Sequence, residues 1–156
     1  MGGYVKRVIA LGVIAVVVIA ACNPFRPVEP VIPAWQTQLQ EHVELAAGAG
    51  EVATLLSQAL YDGKEKAAGK IATSLNAAAL RGLETDPPKH ECLAEIFSVE
   101  AEYYEALKRA STITTRSIMT LNWEPLIFAG ENLLLAEELS SIYADLVANL
   151  SPAACS

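Results

Sequence analysis

Helical periodicity, with no sustained alternation of apolar and polar residues, is the feature that most constrains how this chain can fold. From about Ala34 to Ser156, apolar residues recur at three- and four-residue steps, and prolines stand only where helices would start or stop. Ala, Leu and Glu, which all favour helices, dominate this segment. The pattern predicts an all-α domain, an antiparallel four-helix bundle, over residues 34–156.

Each predicted helix has one apolar face. The first helix follows Pro33 and ends at Asp62-Gly63, and the second ends before a Pro87-Pro88 breaker, where Asp86 is placed to cap the third. The fourth helix is expected from Pro125 to Leu150. A break in the third helix is possible between residues 111 and 120, where β-branched and hydroxyl residues weaken helix propensity.

The residues predicted to face inward are, from the first helix to the fourth, Trp35, Leu39, Val43, Ala46, Ala53, Leu56 and Leu60; Ala68, Ile71, Leu75, Ala78 and Gly82; Cys92, Ile96, Val99, Tyr103, Leu107 and Ala110; and Phe128, Leu135, Leu139, Ile142, Leu146 and Leu150.

Two runs cannot place all their side chains on one face. Leu133, Leu134 and Leu135 spread over about 200° of helix, so at least one is expected to face outward, where it can contact a partner. Of Tyr103 and Tyr104, one ring is expected inward and one outward.

The first 22 residues differ in composition from the rest. Lys6 and Arg7 precede fourteen apolar or Gly residues, Val8 to Ala21, a length typical of a signal peptide and short of the ~20 residues of a membrane span. The run ends in Ile19-Ala20-Ala21-Cys22, which resembles the lipobox of bacterial lipoproteins. The resemblance implies a signal peptide over residues 1–21, cleavage before Cys22 and lipid on its thiol. It places the chain on the extracytoplasmic face of a bacterial membrane, either the cell membrane or the outer membrane.

Prolines recur every third residue after the predicted lipid site, at Pro24, Pro27, Pro30 and Pro33. This spacing matches the three-residue turn of polyproline II. Residues 22–33 are therefore expected to form a semi-rigid tether that holds the domain on the order of 30 Å from the membrane.

The cysteine count predicts one disulfide. With Cys22 committed to lipid, Cys92 and Cys155 remain, and an exported protein meets conditions that permit disulfides. They lie near the start of the third predicted helix and beyond the end of the fourth, which an antiparallel hairpin brings to the same end of the bundle.

Charge and motifs disfavour several functions. The formal net charge is −7, and removal of Lys6 and Arg7 makes it about −9, which disfavours nucleic-acid binding. The chain has no glycine-rich phosphate loop, no Gly-x-Ser-x-Gly elbow and no Glu-x-x-His pair, so no catalytic residue, cofactor or metal is predicted. His90 with Glu91 could begin a metal site, but an exposed helix start is favoured, and His42 is expected at a boundary.

Three functional hypotheses follow. The leading one is a noncatalytic accessory or adaptor subunit that binds a partner protein or further copies of itself. The second is a small-molecule binder, which requires a pocket lined by residues such as Trp35, Tyr103 or Trp123. The third is a metal-binding protein or enzyme, which requires inward carboxylates or histidines close to one another. The carboxylates considered are Glu102, Glu131, Glu137 and Glu138, for which a solvated position is favoured.

Overall fold

Four α-helices account for most of the described chain. The computed structural model describes residues 33–87, 90–151 and 155. The predicted signal peptide, the lipid site at Cys22 and the tether up to residue 32 lie outside these residues. The helices are α1 (Ala34–Tyr61), α2 (Glu65–Glu84), α3 (Ala94–Thr120) and α4 (Leu126–Ala148), and a short 3₁₀ helix (Glu91–Leu93) precedes α3. The described ranges contain no β-strand, and the predicted all-α bundle is confirmed.

Two short connections set the antiparallel order. At the end of α1, Gly63 takes a left-handed φ of +65°, and the Lys64 amide donates to the Ala59 carbonyl at 2.9 Å. At the end of α3, Leu121 takes a φ of +51°, and the Asn122 amide donates to the Ser117 carbonyl at 3.1 Å. Both turns reverse the chain, so that α2 returns along α1 and α4 returns along α3.

Helix α3 is the centre of the bundle. It packs along α2 on one side and along α4 on the other, whereas α1 packs mainly on α2 and meets α4 over a small area. The possible break between residues 111 and 120 is absent, since α3 is continuous through this stretch. The hydroxyl groups there bond within the helix: Ser111 donates to the Lys108 carbonyl and Thr114 to the Ala110 carbonyl, both at 2.8 Å. Hydroxyls satisfied in this way can be buried without interrupting the helix.

The predicted inward faces of the first three helices are confirmed. Each predicted residue is either buried in the core or half-buried against it. The buried faces of α1 and α2 are rich in alanine. Because alanine side chains are small, the neighbouring helices can approach closely.

The predicted inward face of α4 is wrong by about one residue. Three residues predicted to be inward, Phe128, Leu135 and Ile142, are exposed. Leu139 is buried as predicted, and Leu146 and Leu150 are half-buried. The residues that pack inward at the other turns are Ala129, Ala136 and Tyr143. The first half of α4 is apolar on nearly every side, so apolar periodicity alone does not select its buried face.

Both Tyr103 and Tyr104 are buried, which corrects the expectation of one outward ring. Gly82 of α2 makes this possible, because a Cβ at position 82 would collide with ring atoms of Tyr104. The Tyr104 ring therefore occupies space that any other residue at position 82 would fill.

None of the helices in the described ranges is both long and apolar enough to cross a membrane.

Candidate functional site

A buried polar cluster joins α1 to α3. His42 was expected at a boundary, but only 2% of it is exposed, and Glu100, on the inward side of α3, is 3% exposed. His42 Nδ1 lies 3.1 and 2.9 Å from the two carboxyl oxygens of Glu100. His42 Nε2 lies 3.3 Å from the backbone carbonyl of Asp86. Asp86 is therefore a partner of His42, and no side-chain cap from it is found at the start of the 3₁₀ helix or of α3.

The contacts of the imidazole ring define where protons must lie. A carbonyl oxygen only accepts hydrogen bonds, so Nε2 must carry a proton to satisfy Asp86. One further proton must lie between Nδ1 and Glu100, either on the ring, which gives an ion pair, or on the carboxyl, which gives a neutral pair. Burial raises the pKa of Glu100, and the adjacent His42 opposes this by favouring the carboxylate.

Three tyrosines surround this pair. Tyr103 Oη donates to the Ala46 carbonyl at 3.1 Å. The hydroxyl of Tyr104 is buried next to the carboxyl of Glu100, and the hydroxyl of Tyr143 is buried and makes no hydrogen bond with any described residue. Burial first, and the charge of Glu100 second, raise the pKa of all three phenols far above the ordinary value. All three therefore stay protonated at neutral pH, and the cluster anchors helices to one another.

The carboxylates considered for a cluster do not meet inside the bundle. Glu102, Glu131, Glu137 and Glu138 are all exposed. The favoured interpretation, a solvated position on each helix, is confirmed.

Two depressions on the surface of the described residues are lined by residues other than those named for a small-molecule pocket. One, of about 590 Å³, lies at the start of α2, between Gly63 and Lys70. The other, of about 240 Å³, lies between α3 and α4, near Glu105 and Asn132. Trp35, Tyr103 and Trp123 line neither of them.

The remaining cysteines are paired at one end of the bundle. Cys92, in the 3₁₀ helix, forms a disulfide with Cys155, and their Cα atoms are 5.5 Å apart. This is the pair that the cysteine count predicts. His90 lies beside it, and its ring packs at a tilt against Trp35, with ring centroids 6.4 Å apart. His90 is half-buried, so it is not the fully exposed helix start that was expected.

The outward face of α4 carries large exposed apolar side chains. Leu134 is 67% exposed and Ile127 is 68% exposed, and Phe128, Leu135 and Ile142 are exposed as well. Leu133 is half-buried, so the leucine run does project outward as predicted. We call these five exposed residues the apolar rows of α4.

An acidic row lies among the apolar rows. Glu131, Glu138 and Asp145 are exposed and follow one another at seven-residue spacing, which is nearly two helical turns. At about 100° per residue, this spacing puts all three on the same face as Leu134. Helix α4 contains four acidic residues and no basic one. Its outward face therefore combines apolar surface with negative charge.

Sequence reasoning missed Glu100 and placed the exposed residues of α4 on the wrong face. A signal for Glu100 did exist, because it falls one turn after the inward Ile96 and one turn before Tyr103 and Tyr104. A carboxyl at an inward helical position requires a buried partner. The identity of that partner, 58 positions away, is visible only in the fold.

In comparisons with known proteins, no family model matches this chain, and neither a curated protein nor a solved structure is significantly similar to it.

Proposed function

We propose that this protein is a lipid-anchored extracytoplasmic lipoprotein of a bacterial envelope and acts as a noncatalytic accessory or adaptor subunit. In this proposal, the outward face of α4 binds a partner protein. The single observation that carries it is the set of apolar rows on α4, because large apolar side chains at this exposure and spacing are typical of interaction surfaces.

The anchor rests on the sequence of the first 22 residues. Ile19-Ala20-Ala21-Cys22 follows an apolar run of signal-peptide length, and Pro24 to Pro33 can space the bundle from the bilayer. Lipidation of Cys22 with two or more acyl chains gives durable attachment, whereas one chain holds only marginally. The Cys92–Cys155 disulfide supports an oxidising location, since structural disulfides are rare in the cytosol.

The chemistry of α4 favours one kind of partner. The partner must cover apolar rows and place positive charge opposite Glu131, Glu138 and Asp145. An amphipathic helix with Lys or Arg beside apolar residues meets both requirements. A second copy docked through the same face would set acidic row against acidic row, and anionic lipid would be repelled in the same way.

The anchor is tested by the intact mass of the protein from bacterial membranes. The expected mass is that of the chain from Cys22 onward with two or three acyl chains, and Cys22→Ser should abolish the lipid. An unlipidated soluble species from the unaltered chain would contradict this part of the proposal.

The partner surface is tested by site-specific photocrosslinking in living cells. A photoreactive residue at Leu134 should give one discrete adduct, and the same residue at exposed Thr73 on α2 should not. The double reversal Glu131→Lys/Glu138→Lys should abolish the adduct, and reversal of basic residues in the captured segment should restore it.

Three outcomes would contradict the partner proposal. They are no adduct from position 134, an adduct that the charge reversal leaves unchanged, and an adduct of twice the chain mass, which would identify a second copy.

A further inference from the structure

Three metal-ligating side chains converge at the disulfide end of the bundle. A ring nitrogen of His90 and the sulfur atoms of Cys92 and Cys155 all lie within 4.8 Å of one another. His90 Nδ1 is buried and has no hydrogen-bond partner among the described residues. Trp35 packs against the His90 ring, so that the imidazole is held near the sulfurs. Buried side-chain nitrogens without a hydrogen-bond partner are rare in folded proteins, and this one belongs to a ring that lies beside two sulfur atoms.

We propose that reduction of the Cys92–Cys155 disulfide converts this end of the bundle into a binding site for a thiophilic divalent cation, Zn²⁺, held by His90, Cys92 and Cys155. The donor set fits that ion, since Zn²⁺ takes thiolate and imidazole ligands in tetrahedral geometry. Three protein ligands leave the fourth position for water or a further ligand. This site involves neither the lipid anchor nor the outward face of α4.

The redox step requires a dithiol reductant. Such a protein or small molecule transfers two electrons and two protons to the disulfide, which becomes two thiols, while the donor becomes a disulfide. Metal binding then releases one proton from each thiol, because the thiolate is the ligand. The disulfide and the metal site use the same two sulfur atoms, so each state excludes the other.

Little movement is needed to pass between the two states. The Cα atoms of the two cysteines are 5.5 Å apart, and the sulfurs must only separate enough to ligate one ion. The metal takes over the cross-link between the 3₁₀ helix and the C-terminal end of the chain, so the topology of the disulfide is kept after reduction.

The experiment uses the full chain in detergent, with Co²⁺ as a spectroscopic probe. The protein is reduced without oxygen, the reductant is removed, and Co²⁺ is titrated while visible absorption and circular dichroism are recorded. We expect one Co²⁺ per chain with tetrahedral, thiolate-ligated bands, displacement by Zn²⁺, and no such bands from oxidised protein. His90→Gln should weaken Co²⁺ binding by at least about tenfold, and Glu91→Gln, at the exposed neighbouring position, should not.

Circular dichroism shows whether reduction unfolds the chain. If it does, Zn²⁺ or Co²⁺ should restore the helical signal, since metal binding is coupled to folding. The inference is overturned if the reduced chain binds no stoichiometric Co²⁺. It is also overturned if reduction unfolds the chain and Co²⁺ does not restore the helical signal. It is equally overturned if His90→Gln binds with unchanged affinity and spectrum, or if the oxidised chain binds just as well.

Discussion

The Nδ1 atom of His42 lies 2.9 Å from Oε2 of Glu100 and joins α1 to α3 through the core. Among the three contacts between a basic side chain and a carboxyl group in the described residues, this is the one with both side chains buried. Removal of one member leaves the other without its partner, so His42→Leu and Glu100→Leu should each lower the free energy of unfolding by about 3–5 kcal/mol. Urea denaturation followed by circular dichroism measures both losses.

The double variant His42→Leu/Glu100→Leu is the decisive comparison. With both polar groups replaced by apolar ones, its loss should be much smaller than the sum of the two single losses. Strictly additive losses would show that the two residues do not act as a pair.

The pH dependence of stability should also reveal Glu100. Burial raises its pKa in the folded state above the ordinary value of 4.5, so the folded state holds this proton more tightly than the unfolded chain does. The tightly held proton on Glu100 therefore adds to the free energy of unfolding. This contribution is complete below about pH 4.5 and is lost as the pH rises through the raised pKa. The difference in unfolding free energy, wild type minus Glu100→Gln, should therefore fall with rising pH and then level off. Urea titrations from roughly pH 4 to 8 test this, and a difference that grows with pH would refute it.

Gly82 is expected to be essential for packing. In Gly82→Ala the new Cβ meets the Tyr104 ring, which is fully buried and cannot move aside, so the free energy of unfolding should fall by about 1–3 kcal/mol. Gly48→Ala is the matched control, since position 48 has open space around its Cβ site. There the substitution should stabilise the helix by about 0.5–1 kcal/mol. Thermal unfolding of the two variants distinguishes them, and equal effects would contradict the packing of Tyr104.

The sequence was sufficient for the helices and for the cysteine pair. The positions that begin and end helices carry strong local signals, such as Gly63, and two cysteines allow one pairing once Cys22 is assigned to lipid. It was not sufficient for Tyr104 or His42. Their burial depends on space left by a glycine of α2 and on a carboxyl of α3, both distant along the chain.

The disulfide should contribute a large share of the stability. It closes a loop between residues 63 positions apart, which corresponds to about 4 kcal/mol in the chain-entropy model. Cys155→Ser and Cys92→Ser should each lose about this amount in urea denaturation, and the double variant should lose no more than either. Addition of a reductant should destabilise the wild type alone. A single variant as stable as the oxidised wild type would show that the cross-link does not stabilise the fold.

The buried face of α4 can be checked by making the same substitution, Leu to Ala, at an exposed position of α4 and at a buried position of α3. Leu135 is exposed and Leu107 is fully buried, although the sequence predicts both inward. Leu107→Ala removes packed core atoms and leaves a cavity, so the free energy of unfolding should fall by about 2–5 kcal/mol. Leu135→Ala leaves the core intact and should stay within about 0.5 kcal/mol of the wild type. Urea denaturation of the protein without a partner gives both values. A loss at position 135 as large as that at position 107 would show that Leu135 is buried in the core and is not part of the proposed partner surface.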